Sequence, residues 1–182
     1  PLYDLRNLYA SSQPFTNDFL YRISLEWFAY IKSTIGITKK WLLVDLDNTL
    51  WGGVVGEVGP LGIALGPDYP GNAFVAFQKV LLEYYHRGII LAINSRNNPA
   101  DVLEVFEKNP HMILKESHFA CIVTNWETKA DNLIHIAKEL NIGLDSMVFI
   151  DDDAMNRNLV KTQLPEVSVP DFSLQPEVYA HT

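Results

Sequence analysis

The stretch Trp41-Leu42-Leu43-Val44-Asp45-Leu46-Asp47-Asn48-Thr49 (WLLVDLDNT, residues 41–49) decides how the rest of the chain reads. Four consecutive apolar residues without polar alternation describe a strand buried on both faces, as in a parallel sheet covered by helices. The run stops at Asp45, which places a carboxylate at the strand's carboxyl end. Three more short apolar runs end the same way. Ile89 to Ile93 leads to Asn94-Ser95, Ala120 to Val123 leads to Thr124-Asn125, and Met147 to Ile150 leads to Asp151-Asp152-Asp153. Helix-period segments separate them. Phe74, Phe77, Leu81 and Tyr84 recur every three or four residues before a stop at Gly88. Val102, Val105 and Phe106 share a face behind Pro99, which opens a helix. Ala130, Leu133, Ile134, Ala137 and Leu140 mark a third helix, and a fourth runs from about Ala154 to Leu164 ahead of a short Val167–Val169 strand. The alternation predicts an α/β fold, a three-layer parallel sheet with helices on both faces.

Two segments depart from this rhythm. Residues 50–71 hold seven of the ten glycines and three of the ten prolines, which predicts a looped flap or hairpin insertion and no large cap domain. The first 40 residues contain a predicted helix over Thr16–Ser33, with Phe19, Leu20, Ile23, Trp27 and Ile31 on one side. It either packs on the core or docks a neighbouring domain. The expected organisation is therefore an N-terminal helical segment, 1–40, and a core domain, 41–182.

At 182 residues and a net charge of −8 the chain fits one acidic globular domain. That charge disfavours nucleic-acid and anionic-membrane surfaces. No apolar run reaches the roughly 18 residues of a membrane span, so the expected compartment is cytoplasmic. The single cysteine, Cys121, excludes an internal disulfide or a cysteine-rich zinc site. A first residue of Pro1 suggests a processed chain or a piece of something larger.

Ligands of open parallel sheets sit beyond the carboxyl ends of the strands. Folding therefore gathers residues 45, 95, 129 and 151 on one rim. Clustered carboxylates repel unless a cation offsets them. Oxygen donors without histidine or thiolate point to Mg2+ rather than zinc. Ser95 and Lys129 on the same rim suit phosphate oxygens. Each piece alone has an ordinary reading: Asp-x-Asp is common, and Asp151 to Asp153 suit a helix N-terminus. Their order, each at a strand end, favours phosphoryl chemistry.

The order Asp-x-Asp-x-Thr, Ser, Lys, Asp-Asp resembles the four motifs of the haloacid dehalogenase-like superfamily, whose sheet is Rossmann-like. The resemblance implies that Asp45 is the nucleophile forming an aspartyl phosphate and that Asp47 is the general acid and then base. It makes Thr49 a support of the turn, Ser95 a phosphoryl ligand and Lys129 a counter-charge. Asp45, Asp151, Asp152 and the backbone carbonyl of Asp47 are then the metal ligands.

A closer resemblance rests on DLDNTLWGGVVGEVG (45–59), LAINSRNNPADVLEVFEKNPHMIL (91–114), NWETKADNL (125–133) and LNIGLDSMVFIDDD (140–153), which look like FkbH-like proteins of polyketide synthases. It implies loading of a glyceryl unit from 1,3-bisphosphoglycerate onto the phosphopantetheine thiol of an acyl carrier protein, with loss of both phosphates. Other polyketide synthase domains are further implied partners. Two departures stand out. Ser95-Arg96-Asn97-Asn98 replaces an expected Ser-Lys-Asn-Asn, and Asp153-Ala154-Met155-Asn156-Arg157 replaces Asn-Pro-x-Glu-Arg. The expected substrate contacts are Ser95, Arg96, Asn97, Lys129 and Arg157.

Other readings compete. A plain Mg2+-dependent phosphatase uses the same Asp45 chemistry. A response-regulator-like phosphoacceptor carries its aspartate on the third strand, against the order here. A non-catalytic docking module does not account for the intact acidic and basic set. Cys121 falls about three residues, or roughly 10 Å, before the rim and reads as a small buried hydrophobe. The five histidines show no metal-ligand spacing. Trp51 and Trp126 adjoin motifs and serve either as pocket wall or as packing.

Overall fold

Trp41, Leu42, Leu43 and Val44 form β1 (Trp41–Val44), and all four are buried. A computed structural model describes residues 2–34, 39–172 and 175–181. The chain divides into two compact units, Pro1–Thr38 and Lys39–Thr182.

In the N-terminal unit, α1 (Leu5–Ser11) is capped by Asp4, whose Oδ1 accepts from the Arg6 and Asn7 amides. This is the usual way a short acidic side chain satisfies the first orphan donors of a helix. Helix α2 (Asn17–Thr34) begins behind Thr16, whose Oγ1 accepts from the Phe19 amide at 3.3 Å. A Tyr3–Phe15 bridge and a Phe15–Phe19 ring contact at 5.1 Å tie the two helices together. Ile23, Trp27 and Ile31 are exposed.

The larger unit follows the predicted alternation: α3 (Val55–Val58), α4 (Gly71–His86), β2 (Ile90–Ser95), α5 (Pro99–Lys108), β3 (Phe119–Thr124), α6 (Lys129–Glu139), β4 (Met147–Ile150) and α7 (Ala154–Gln163). The four strands are parallel in the order β3-β2-β1-β4. Side chains alternate across the sheet, so each strand serves two cores. Leu42, Val44, Leu91 and Ile93 pack with Phe74, Phe77 and Leu81 of α4 and Val102 and Val105 of α5. Trp41, Leu43, Ala92, Met147 and Phe149 pack with Leu133 and Ile136 of α6 and Val160 behind them. This is the three-layer α/β architecture that the apolar runs predict.

One expectation changes. Val167–Val169 forms no strand: only Ser168 bridges β4, accepting from the Phe149 amide at 2.9 Å and donating to Met147 at 3.0 Å. Pro165 and Pro170 flank it and carry no amide donors with which to extend the ladder. The glycine-rich insertion contains one helical turn, α3, and closes through reciprocal Gly52–Ala64 backbone bonds at 3.1 and 2.8 Å. Gly62 allows this fold-back, because a Cβ there would lie 2.1 Å from the Val58 carbonyl oxygen. No described helix is long and apolar enough to cross a membrane.

Candidate active site

Register brings the polar strand ends level. Val44 pairs with Ile150 and Ser95 with Thr124, so Asp45, Ser95 and Asp151 leave the sheet at one edge. The Asp45 amide donates to the Ile150 carbonyl at 2.9 Å, fixing the first exit against the last. Asp45, Asp151 and Asp152 each offer a carboxylate oxygen within 4.8 Å of the others. The three adjacent aspartates divide their work. Asp151 is fully buried, Asp152 is half-buried, and Asp153 caps α7 by accepting from the Met155 amide.

Lys129 starts α6 and is 1 % exposed, which places its ammonium inside the cluster. Its Nζ lies 2.5 Å from Asp45 Oδ1 and 3.3 Å from Asp151 Oδ2, and it donates to the Asn94 carbonyl at 2.6 Å. Asparagines hold it there. Asn94 Nδ2 donates to the Lys129 carbonyl, Asn132 Nδ2 donates to Asn94 Oδ1, and Asn125 and Asn132 bond each other. A buried ammonium requires such saturation. Asn94 and Asn125 are readable as polar strand ends; Asn132 is legible only as the residue one turn beyond Lys129.

Asp45, Asp151 and Asp152 together carry three negative charges when ionised, against one positive charge on Lys129. The uncompensated pair shows in the proton affinities. Burial, with the Asp45 and Asp151 charges, pushes the Asp152 carboxyl up to about 6. Burial and the Asp45 charge also raise Asp151, while Lys129 opposes them. A divalent cation matches the excess of two charges, and hard carboxylate donors without histidine or thiolate suit Mg2+. Those three carboxylates are the side chains that would hold it.

The Asp47 carboxylate lies outside that set and has its own partners. Its Oδ1 accepts from Trp51 Nε1 at 2.8 Å and the Val55 amide at 3.1 Å; its Oδ2 accepts from Asn97 Nδ2 at 3.0 Å. Burial raises its pKa above the ordinary carboxylate value despite these bonds. Trp51, fully buried, thus both packs and orients an acid, whereas Trp126 is exposed. Asn97 also donates to Ser95 Oγ at 3.3 Å, joining two rim residues. Thr49 is buried, its amide donating to the Leu46 carbonyl and its hydroxyl reaching Asp152 Oδ1 at 3.5 Å.

Two basic residues expected at the substrate make other contacts. Arg96 is exposed and its Nε donates to the Glu127 carbonyl at 3.4 Å. Arg157 Nη1 donates to the carbonyls of Asp151 and Asp152 at 2.7 and 2.6 Å, bracing the acidic turn. Asn156, which stands where a glutamate was expected, donates to both Asp151 oxygens at 3.3 and 3.2 Å. An acid there would add to the repulsion. Cys121 lies mid-strand, paired with Ala92, and burial pushes its thiol up. That is the reverse of what a nucleophilic thiol needs.

No protein-family model matches the chain, and no curated protein matches it significantly. Among solved structures, the N-terminal part of the protein BF1531 from Bacteroides fragilis, which contains a phosphatase domain and is complexed with Mg, is 42% identical over 98% of this chain, with a TM-score of 0.86. This chain spans about half of that structure's length, 48%. A HAD family enzyme from Bacteroides thetaiotaomicron, in complex with magnesium and inorganic phosphate, aligns over 74% of this chain and 94% of its own at 16% identity and a TM-score of 0.51. The fold is the haloacid dehalogenase-like fold. Within it, the insertion after β1 is a single helical turn and no cap domain stands among the described residues.

Proposed function

We propose that the chain is a Mg2+-dependent phosphatase working through an aspartyl phosphate on Asp45. The observation that carries this reading is the separation of two kinds of carboxylate. Asp45, clamped by Lys129, belongs to the cation-binding cluster, while Asp47 stands apart with a raised pKa. Lys129 engages Asp45 Oδ1, leaving Oδ2 to attack phosphorus as the bond to the leaving oxygen breaks. Asp47, protonated, delivers its proton to that oxygen. The same carboxylate, now ionised and held by Trp51 and Asn97, takes a proton from the water that displaces Asp45 and frees inorganic phosphate. Mg2+ held by Asp45, Asp151 and Asp152 would supply charge neutralisation for the phosphoryl group. Lys129 offsets the remaining negative charge, and the Ser95 hydroxyl donates to a phosphoryl oxygen. The Mg-complexed phosphatase-domain relative at 42% identity supports the reading.

The finer reading is the FkbH-like one: 1,3-bisphosphoglycerate as donor and the phosphopantetheine thiol of an acyl carrier protein as acceptor. The motif resemblance supports it, and a rim that carries no cap among the described residues leaves room for a carrier-borne group. The thiolate attacks the acyl carbon and expels the first phosphate. The Asp45 chemistry then removes the second. Asp45 accounts for phosphoryl removal and not for acyl transfer.

Intact-mass spectrometry separates the readings. The domain, Mg2+ and 1,3-bisphosphoglycerate are incubated with a phosphopantetheinylated carrier, beside an Asp45→Asn control. A glyceryl mass on the carrier with the unmodified domain, and a phosphoglyceryl mass with Asp45→Asn, support loading. Phosphate release with an unmodified carrier leaves the phosphatase alone. Phosphate release undiminished in Asp45→Asn overturns the aspartyl-phosphate mechanism.

A further inference from the structure

The rim opens beside Asp152 into a groove of about 640 Å3, bounded by the Asn48 turn on one side and Phe74 and Tyr179 on another. The glycine-rich insertion forms its floor. A Cβ at Gly52 would approach the Phe74 ring to 2.8 Å, so residue 52 is packed hard against that ring and sends nothing into the space. Val58 and Ala64 add an apolar wall. Tyr179 is 4 % exposed, wedged edge-on against Phe74 and Phe77, and its hydroxyl donates to the Asn48 carbonyl at 3.1 Å. The wall beside the Asp47 turn is therefore anchored to the C-terminal segment.

The charge pattern of the groove is one-sided. Among the described residues that line it there is no Lys, Arg or His, and its one ionisable carboxylate is Asp152. A second carboxylate stands at the mouth, where the lining residue Tyr69 donates its hydroxyl to Glu177 Oε2 at 3.4 Å. Arg157 acts electrostatically on Tyr179, yet its Nη1 is held on the Asp151 and Asp152 carbonyls and it does not line the space. An anion entering the groove loses hydration and finds no cationic side chain among the described lining residues, which is unfavourable.

We propose that this groove receives the part of the substrate beyond the phosphate and selects phosphate monoesters whose remainder carries no negative charge. This rests on the phosphatase reading and names the substrate class of the same rim. Neutral hydroxyl- or amide-bearing chains meet the apolar wall and the tyrosine hydroxyls; a carboxylate or second phosphate finds no cationic side chain among the described lining residues to offset its charge. For the FkbH-like route, the glycerate carboxyl is then already a thioester when the Asp45 chemistry removes the last phosphate.

Glycerol 3-phosphate and 3-phosphoglycerate test this directly, because they differ only in a hydroxymethyl group against a carboxylate. Acetyl phosphate, too small to fill the groove, reports the Asp45 chemistry alone. The expected kcat/KM is roughly tenfold or more higher for glycerol 3-phosphate. Val58, 48 % exposed on its single turn, tolerates a longer side chain. Val58→Lys should shrink the preference severalfold, and the uncharged Val58→Gln should not. Equal or better turnover of 3-phosphoglycerate, a ratio indifferent to Val58→Lys, or acetyl phosphate turnover with neither ester hydrolysed overturns the groove assignment alone. No phosphate release from any of the three overturns the phosphatase reading and the groove with it.

Discussion

Stripping divalent ions from the rim and raising the pH should destabilise the fold, with Asp152 setting a measurable part of that slope. Its carboxyl holds a proton up to about 6 in the fold, against 3.8 for the ordinary side chain, because burial and the Asp45 and Asp151 charges oppose ionisation. Between those values the native state binds more protons than the unfolded chain. Stability therefore falls as pH rises through about 6 and is greatest below about 4. At about 1.4 kcal/mol per pH unit, the interval corresponds to about 3 kcal/mol, roughly half of it between about pH 5 and about pH 7.5. Asp152 keeps some solvent contact, so the expected loss over that range is about 1 kcal/mol, or about 2–4 °C in Tm for a chain of this size. Asp47 and Asp151, also raised, act in the same direction, and His118, lowered by burial, acts against them. Unfolding of the unmodified chain and Asp152→Asn in EDTA at both pH values cancels those shared contributions. Saturating Mg2+ should flatten or reverse the slope, since the ion requires ionised carboxylates. Identical slopes for the two proteins in EDTA, or a slope that survives saturating Mg2+, would refute the reasoning.

Three further outcomes are expected. Lys129→Met leaves Asp45 and Asp151 without their shared partner and should cost about 3–5 kcal/mol in EDTA, partly regained with Mg2+, by urea unfolding. Trp51→Phe removes a donor to ionised Asp47, so the pH–rate limb belonging to that acid should move to higher pH with KM little changed, beside a stability loss of about 1.5–3 kcal/mol; an unmoved limb means that Asp47 is not the titrating acid. Cys121→Ser should retain full turnover, because the thiol lies mid-strand with a raised pKa; loss of phosphate release without loss of fold would place it in the chemistry.

Much of the architecture is written in local pattern. A strand covered on both faces needs an unbroken apolar run, and Trp41–Val44, Ile90–Ile93 and Met147–Ile150 each supply one. Because every run ends at a polar residue, the edge carrying Asp45, Ser95 and Asp151 follows from the order of elements, and Lys129 follows from the start of α6. The Val167–Val169 segment shows the limit of that logic. Its composition suits a strand, but strand formation depends on a neighbour's free donors and acceptors, and the flanking prolines cap what it can share.

Periodicity and strand ends, which are properties of neighbouring residues, place Asp45, Ser95, Lys129 and Asp151 at one edge of the sheet. What each one does there depends on contacts made across the folded chain. Nothing in three adjacent aspartates says that Asp151 is buried, that Asp152 is half-buried with a carboxyl raised to about 6, or that Asp153 caps a helix. Nor does sequence show that Trp51 and Asn97 share Asp47, that Arg157 braces the acidic turn, or that Asn94 and Asn132 saturate the surroundings of Lys129. These roles rest on hydrogen bonds and charge separations between residues of different elements, many of them far apart along the chain. Burial and proton affinity depend on those distances, which exist only once the helices have closed over the sheet.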